Sequence, residues 1–566
     1  MISDRGKHEK FLFYTCFVAL IATSFGFISR AFMLGDWGEA YGFSPTQLGE
    51  IFGAGLWPFG ISIVLWSLFI DRVGYRRAMV FAFVCHVASA LLTIFGTTQD
   101  WFGLGPYRWL YIGAFIGGLG NGTIEAVINP VVATMFSKEK TKWLNILHAG
   151  WPGGLAIAGV LTILLAGTGM GWEVKVALIF VPTIAYGIMM IFCAFPVSER
   201  VAAGVSYRDM LREAGALGAL IAGGLIVFEL GRVFGVTWGV NAAITIAITI
   251  GYWLATHSLG RPMYIFMLLL MLILATTELG TDGWIKELMD PVMAELDLDG
   301  GWILVYTATL MVVLRFCTGM ILKVFSPLGL LATSAAVATA GLVWLSQIHT
   351  AVGITILVAA TVYGVGKTFF WPTTLGVISE QFPKGGALTL NAIAGVGMLG
   401  VGILGGPWLG YIQNTTIEQT LAQETPELHA QVMGESTRSL FGSYLPVDAD
   451  KVAALTSNLV EAEELAARLV TEAEAEAGGP MSPAERETLL QANEEHAALI
   501  SSPQFTEQQE ITSSLTELQN QAKKDALFKV AILPLIMFLC YVGLNLYFRS
   551  KGGYQAVSLT PAEESG

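Results

Sequence analysis

Two segments of this chain read alike across a distance of 246 residues. Residues 118–145 are GLGNGTIEAVINPVVATMFSKEKTKWLN, and residues 364–391 are GVGKTFFWPTTLGVISEQFPKGGALTLN. A duplication explains the repeat, so the chain is predicted to contain two related halves. The matching positions are Gly118, Gly120, Phe136, Lys138, Leu144 and Asn145 in the first copy and Gly364, Gly366, Phe382, Lys384, Leu390 and Asn391 in the second.

Both segments belong to long apolar stretches, which recur along the whole chain. Of its 566 residues, 54% are hydrophobic and only 13% are charged, which is too apolar for an ordinary soluble protein. Stretches of roughly 20 apolar residues are long enough to cross a bilayer. They predict fourteen membrane spans, at residues 11–34, 46–70, 77–97, 108–136, 142–167, 174–196, 214–234, 237–256, 262–288, 300–323, 327–346, 351–379, 387–412 and 527–548.

The predicted spans fall into sets of six, two and six. We therefore expect an all-α membrane protein with two pseudo-symmetric six-helix bundles plus two extra transmembrane helices. The predicted organisation is an N-terminal six-helix bundle (1–200), a cytoplasmic linker with the two extra helices (201–258), the first five helices of a C-terminal bundle (259–413), an acidic helical extracytoplasmic insert (414–526), and the last transmembrane helix with a cytoplasmic tail (527–566).

The charged residues are distributed unevenly. Residues 414–526 contain 20 acidic and six basic residues, so this segment accounts for the net charge of −13 of the chain. Elsewhere, the loops after the second, fourth, sixth and last predicted spans are basic, and Lys and Arg of short loops stay in the cytoplasm. Both termini are thus predicted to be cytoplasmic, in a multi-pass protein of the cell inner (plasma) membrane.

The loop after the second predicted span carries a motif, Asp71-Arg72-Val73-Gly74-Tyr75-Arg76-Arg77. It resembles the loop signature of the major facilitator superfamily, Gly-x-x-x-Asp-Arg-x-Gly-Arg-Arg/Lys, with Ser67 and Tyr75 as departures. The resemblance implies the major facilitator fold. A carboxylate and several cations at a glycine turn can form charge-assisted bonds between helix ends. We expect a gating loop formed by Asp71, Arg72, Gly74, Arg76 and Arg77.

The fourth predicted span carries Glu125 and Asn129, which share one helix face. Their motif, Glu-x-x-x-Asn-Pro followed by Leu144-Asn145, resembles the fucose/glucose:proton symporter branch of the superfamily. By that resemblance Glu125 carries the coupled proton, and the alternative is a structural ion pair. Trp151 stands where that branch has a sugar-binding Asn, and Arg30 lies near the position of its first-span Asp, so the solute is not carried over.

Further polar and aromatic residues interrupt the apolar spans. Glu278 and Trp284 resemble a Glu-x-x-x-x-x-Trp motif of related symporters, in which the acid couples ions and the ring stacks on a sugar. Lys367 needs a carboxylate or a solute as its partner inside a membrane, and Glu125 and Glu278 are the candidates. The predicted substrate-binding residues are Arg30, Asn129, Asn145, His148, Trp151, Trp284, Arg315, Lys367, Trp371 and Asn391.

These features favour a secondary transporter over an enzyme. The sequence offers no nucleophile with a base and no metal-ligand spacing, so no cofactor or metal is expected. The expected partners are a small polar solute such as a sugar, a proton and the lipid bilayer, without nucleic acid, and the expected state is a monomer. Arg30 also resembles the anion-binding arginine of organophosphate antiporters, which leaves an organic-anion or phosphate-ester exchanger open. A non-transporting membrane sensor of the same fold is the remaining alternative.

Overall fold

The chain is almost entirely helical in a computed structural model, which describes residues 2–43, 45–166, 168–281, 301–348, 353–457, 459, 496–498 and 500–559. The helices of the first 205 residues are α1 (Ile2–Tyr41), α2 (Pro45–Gly53), α3 (Trp57–Val73), α4 (Tyr75–Leu91), α5 (Thr97–Gln99), α6 (Pro106–Met135), α7 (Lys140–His148), α8 (Gly150–Ala166), α9 (Trp172–Ala177), α10 (Phe180–Ile191) and α11 (Glu199–Ala202).

The second part of the chain continues in the same way. Its helices are α12 (Tyr207–Val233), α13 (Trp238–Thr256), α14 (Pro262–Ala275), α15 (Gly301–Phe316), α16 (Thr318–Ile321), α17 (Pro327–Ser346), α18 (Gly353–Lys367), α19 (Phe370–Gln381), α20 (Gly386–Gly400), α21 (Gly406–Glu424), α22 (Pro426–Val432), α23 (Ala449–Leu455), α24 (Pro503–Val530) and α25 (Ile532–Ser550). One short antiparallel pair joins β1 (Thr437–Arg438) to β2 (Ser443–Tyr444).

Eleven helical segments of the described residues are long and apolar enough to cross a membrane. Three predicted spans are not among the eleven: those on α6, on the pair α18–α19, and on α15, whose apolar helix is shorter than a full span. Helix α6 carries Asn121, Glu125 and Asn129, which lower its apolar content, and α18 and α19 are individually short. The described fold is therefore a multi-helix membrane fold, and the count of fourteen spans stays a prediction.

Two predicted spans are each divided into two helices. The span at 142–167 is α7 and α8, which break at Ala149, and the span at 351–379 is α18 and α19, which break at Thr368 and Phe369. At the first break α8 packs closely on α1, since a Cβ at Gly154 would lie 1.8 Å from Ser24 Oγ. A break in a helix frees main-chain carbonyl groups for other partners.

The chain divides into two compact units, described here separately. One comprises residues 1–406 with 530–566, and the other comprises Pro407–Lys529. The acidic segment predicted at 414–526 lies inside the bounds of the second unit. That unit has its own apolar core, formed by Ile417, Leu421, Val432, Met433, Leu515, Leu518 and Ala522.

Candidate functional site

Three buried side chains of the first unit, Glu125, Asn129 and His148, form a hydrogen-bonded row. Asn129 Nδ2 donates to Glu125 Oε2 at 2.7 Å, one turn apart on α6. Asn129 Oδ1 accepts from His148 Nε2 at 2.9 Å, and that nitrogen lies 4.0 Å from Glu125 Oε2. Because the amide oxygen can only accept, His148 carries its proton on Nε2. The shared helix face predicted for Glu125 and Asn129 is confirmed.

A second buried cluster surrounds Arg315 on α15. Its guanidinium is 2% exposed and donates to Glu278 Oε1 at 3.1 Å. Glu278 lies in a π-helical turn, Thr276–Gly280, and its Oε2 accepts from the main-chain N–H of Trp371. Nε of Arg315 donates to the carbonyl of Thr368 at 2.9 Å, at the break between α18 and α19. The broken helix thus supplies an acceptor for the buried cation.

His148 joins the two clusters. Its side chain contacts Asn129, and its main-chain carbonyl, at the break between α7 and α8, accepts from Arg315 Nη1 at 2.7 Å. Glu125 and His148 belong to the first half of the chain and Arg315 to the second half. His148 therefore connects the Glu125–Asn129 pair of the first half to the Arg315–Glu278 ion pair of the second.

The repeated asparagines make reciprocal contacts between the halves. Asn145 Nδ2 donates to Thr373 Oγ1 at 3.1 Å, and Asn391 Nδ2 donates to the carbonyl of Ala126 at 2.9 Å. Pro130 lacks the N–H that would bind this carbonyl within α6, which leaves the acceptor available. Asn391 Oδ1 is buried and has no hydrogen-bond partner among the described residues, so it can accept from a hydroxyl or ammonium group.

Arg30 occupies a niche between α1, the α2–α3 turn and α6. A Cβ at Gly55 would lie 1.9 Å from Arg30 Nη1, and one at Gly117 would lie 3.1 Å from Nη2, so both glycines make room for the guanidinium. Arg30 is 8% exposed. Among the described residues no carboxylate forms an ion pair with it, whereas Arg315 pairs with Glu278. Arg30 is therefore a buried cation without a carboxylate counter-ion among the residues that the structure describes.

The remaining predicted binding residues have diverse surroundings. Lys367 is buried with its ammonium 5.6 Å from the centre of the Tyr363 ring. The Trp371 ring packs against Gly397 within the second half. Trp151 lies among aromatic rings, with Phe27 and Phe59 centred 5.6 and 6.3 Å away. Trp284 lies outside the described residues.

The predicted gating loop has a partner that the sequence analysis did not assign to it. Asp71 Oδ2 accepts from Arg200 Nη2 at 2.6 Å and from its Nε at 3.0 Å. Arg200 also packs against Gly386, at the start of α20. Gly74 has a φ of +90° and separates α3 from α4.

The loop arginines contact other groups. The Arg72 guanidinium lies 4.4 Å above the Tyr207 ring. Arg76 donates weakly to the carbonyl of Ile191, and Arg77 to that of Val73. The carboxylate of the motif is therefore held by a cation after the sixth predicted span, and not by the arginines next to it.

A set of contacts between the halves near the same loops was also missed. Lys140 Nζ donates to Glu199 Oε2 at 2.6 Å and to the carbonyl of Ser379 at 3.2 Å. Glu380 Oε1 accepts from both the N–H and the hydroxyl of Thr141. The sequence signal for these contacts was Glu380, an isolated acid at the end of an apolar stretch in the second copy of the repeat. We call Lys140, Thr141, Ser379 and Glu380 the loop gate.

Within the part of the chain that the structure describes, no cluster of His, Cys, Asp or Glu is arranged to hold a metal ion. All five cysteines are free thiols.

Comparisons with known proteins give a family and a fold. The family model described as Major Facilitator Superfamily matches residues 15–407. XylE, the E. coli xylose transporter, is similar in two structures. Bound to 6-bromo-6-deoxy-D-glucose it has a TM-score of 0.54 and 14% identity, covering 74% of this chain and 91% of its own. A double-tryptophan mutant has a TM-score of 0.52 and 15% identity, covering 72% and 88%.

A third solved structure is less similar. The E. coli fucose:proton symporter FucP has a TM-score of 0.48 at 14% identity and covers 70% of this chain and 91% of its own. No curated protein matches the sequence. The fold assignment rests on the family model and on the two XylE structures.

Proposed function

The chain belongs to the major facilitator superfamily, and we propose that it carries a small polar solute, preferentially a sugar, by proton-coupled alternating access. Membership makes it a multi-pass membrane transporter. The observation that carries the finer proposal is the connection made by His148. Its imidazole contacts Asn129 beside Glu125, while its carbonyl holds Arg315, the partner of Glu278.

Proton coupling requires an acid whose charge state changes the contacts between the halves. Glu278 meets this requirement, because its charge holds Arg315, and Arg315 in turn holds His148 of the opposite half. A proton on Glu278 removes the charge that anchors the guanidinium and weakens this connection. Glu125 meets the same requirement from the first half. Its protonation state sets the strength of its hydrogen bond with Asn129, and Asn129 binds the His148 ring.

Solute recognition is assigned to neutral groups beside these acids. Asn391 Oδ1 is a buried acceptor that no group of the described residues occupies, and it belongs to the amide that contacts Ala126, next to Glu125. Trp151 offers an aromatic face of the kind that packs against a sugar ring. A sugar hydroxyl that donates to Asn391 Oδ1 would therefore lie close to Glu125, the proposed proton carrier. This proximity would couple binding of the sugar to protonation of Glu125.

The test is uptake into proteoliposomes, with a panel of radiolabelled sugars and with or without an imposed pH gradient. We expect the wild type to accumulate one solute only when the gradient is present. Glu125→Gln keeps the size of the side chain and its bond with Asn129 but cannot exchange a proton. It should lose gradient-driven accumulation and retain exchange between labelled and unlabelled solute.

Glu139→Gln is the matched control. Glu139 is exposed and pairs with Lys142 three residues away, so its substitution should leave both activities unchanged. Accumulation by Glu125→Gln at the wild-type level would refute the role of Glu125. Gradient-independent uptake by the wild type would refute proton coupling.

An organic-anion or phosphate-ester exchanger is the second candidate, and the niche of Arg30 favours it. A buried guanidinium without a carboxylate partner is costly unless an anion compensates it. Preloading the vesicles with unlabelled organic anion distinguishes the two candidates. Exchange predicts faster uptake that resists a protonophore, and symport predicts uptake that the protonophore abolishes.

The proposed orientation places both termini in the cytoplasm of a cell with this protein in its inner (plasma) membrane. The basic loops support it through the preference of Lys and Arg for the cytoplasmic side. The loop gate and the gating loop would then close the cytoplasmic end. Protease digestion of sealed right-side-out vesicles tests this, because the C-terminal tail should be protected and residues 414–526 should be cleaved.

A further inference from the structure

The tail that follows the last helix is bound to the loop gate. Tyr554 Oη donates to Glu380 Oε2 at 2.7 Å, and the N–H of Val557 donates to the main-chain carbonyl of Glu380 at 2.8 Å. Gln381 Nε2 donates to the carbonyl of Gln555 at 2.8 Å. Tyr554 also packs against Phe548 on α25, with ring centres 5.3 Å apart. The tail is thereby anchored at its helix and attached to the end of α19.

Glu380 has a different partner on each carboxylate oxygen. Oε1 accepts from the N–H and hydroxyl of Thr141 in the first half, and Oε2 accepts from Tyr554 in the tail. Burial and the Glu380 carboxylate raise the pKa of Tyr554 well above its ordinary value. The phenol is protonated at physiological pH and donates to one oxygen while the other faces Thr141.

We propose that Tyr554 is a positioning residue of the loop gate: through Glu380, the C-terminal tail holds the gate closed and sets how often it opens. When the halves separate at this end, the two bonds between Thr141 and Glu380 must break. A carboxylate fixed by Tyr554 and by the main-chain bond at Val557 is already oriented for Thr141, so closing loses less conformational freedom. Without the tail, Glu380 is free to turn away and the open gate becomes more populated.

The expected size follows from the conformational freedom that Glu380 regains, because the Tyr554–Glu380 bond itself is present in both the open and the closed gate. Leaving a long side chain to be ordered only on closing raises the ratio of open to closed gates by up to about tenfold. Tyr554→Phe removes this bond alone, because the phenylalanine ring retains the packing against Phe548. Ending the chain after Lys551 removes all the tail contacts and should have at least the same effect.

The experiment measures the opening of the gate with a cysteine reporter. Ser379→Cys, in a background whose five native cysteines are alanine, places a buried thiol at the gate and leaves the Ser379 carbonyl available for Lys140. A maleimide is added to purified protein in detergent, which avoids any assumption about orientation. We expect labelling up to about ten times faster with Tyr554→Phe and no change with Tyr547→Phe, an exposed tyrosine of α25.

A merely structural effect is distinguished by a second substitution. If Tyr554 acts through Glu380, then Tyr554→Phe should add nothing in a Glu380→Ala background. An equal acceleration with and without Glu380, or no acceleration in the Tyr554→Phe and truncated chains, would overturn the proposal. The measurement requires no solute, so its result is independent of the transported substance and of proton coupling.

Discussion

Arg315 and Glu278 form a buried ion pair, yet their removal should have very different consequences. Arg315→Met deletes three hydrogen bonds, to Glu278 Oε1 and to the carbonyls of His148 and Thr368. It also leaves the Glu278 carboxylate buried opposite an apolar side chain. Breaking a buried pair in this way costs about 3–5 kcal/mol of folding free energy.

Glu278→Gln also leaves a buried charge without its counter-ion, but it should cost less, at about 2–3 kcal/mol, because neutral acceptors still solvate the guanidinium. The glutamine retains an oxygen that can accept from the guanidinium, and Arg315 keeps both carbonyl acceptors. In the double variant Arg315→Met with Glu278→Gln, neither charge is left unpaired. It should therefore be more stable than Arg315→Met alone, by about 1–3 kcal/mol, because an uncompensated charge dominates the loss in the single variant.

The assay is thermal unfolding in detergent, followed with a thiol-reactive dye. Cys16, Cys85 and Cys193 are buried and free, so they react when the protein unfolds. Arg212→Met is the control, since Arg212 and Asp209 form an exposed pair whose loss should change stability by less than about 1 kcal/mol. Equal melting of Arg315→Met and Glu278→Gln, or a double variant as unstable as Arg315→Met, would refute this account.

Two further predictions concern the niche of Arg30 and the second unit. Gly55→Ala should displace the guanidinium of Arg30, which costs about 1–3 kcal/mol of folding free energy and should reduce uptake in proteoliposomes. Gly49→Ala is the control and should preserve uptake, because the space around its Cβ position is open. Unchanged uptake by Gly55→Ala would show that transport does not depend on Arg30 in its niche. Replacing residues 420–520 by a short linker should leave solute accumulation intact, as measured in the same vesicles, and loss of all accumulation would favour the sensor alternative.

The family and many contributors to the site could be predicted from the sequence. The repeat identified Asn145 and Asn391 as equivalent, and the structure gives both of them contacts with the opposite half. The spacing of four residues was enough to pair Glu125 with Asn129, because helix geometry sets which side chains meet. These inferences needed only the local periodicity of a helix and the comparison of two segments.

The partners of the charged groups were not predictable in the same way. Glu125 and Glu278 were the candidates for Lys367, and the sequence did not indicate the ion pair that the structure forms between Glu278 and Arg315. Asp71 is held by Arg200, 129 residues away. A cation selects among several carboxylates by distance and geometry, and neither is encoded in the spacing along the chain.

The sequence by itself determined that this is a membrane protein. The free energy of inserting a helix into a bilayer is the sum of the contributions of its own residues, so it can be read from each apolar stretch without knowledge of the rest of the molecule. The loop signature indicated the family, and the repeat predicted a duplication. Only the tertiary structure decided that Arg315 contacts the carbonyl of His148 and that Glu380 lies between Thr141 and the tail. Such contacts span up to 239 residues, and they depend on where helices break and how their faces pack, which no local pattern specifies.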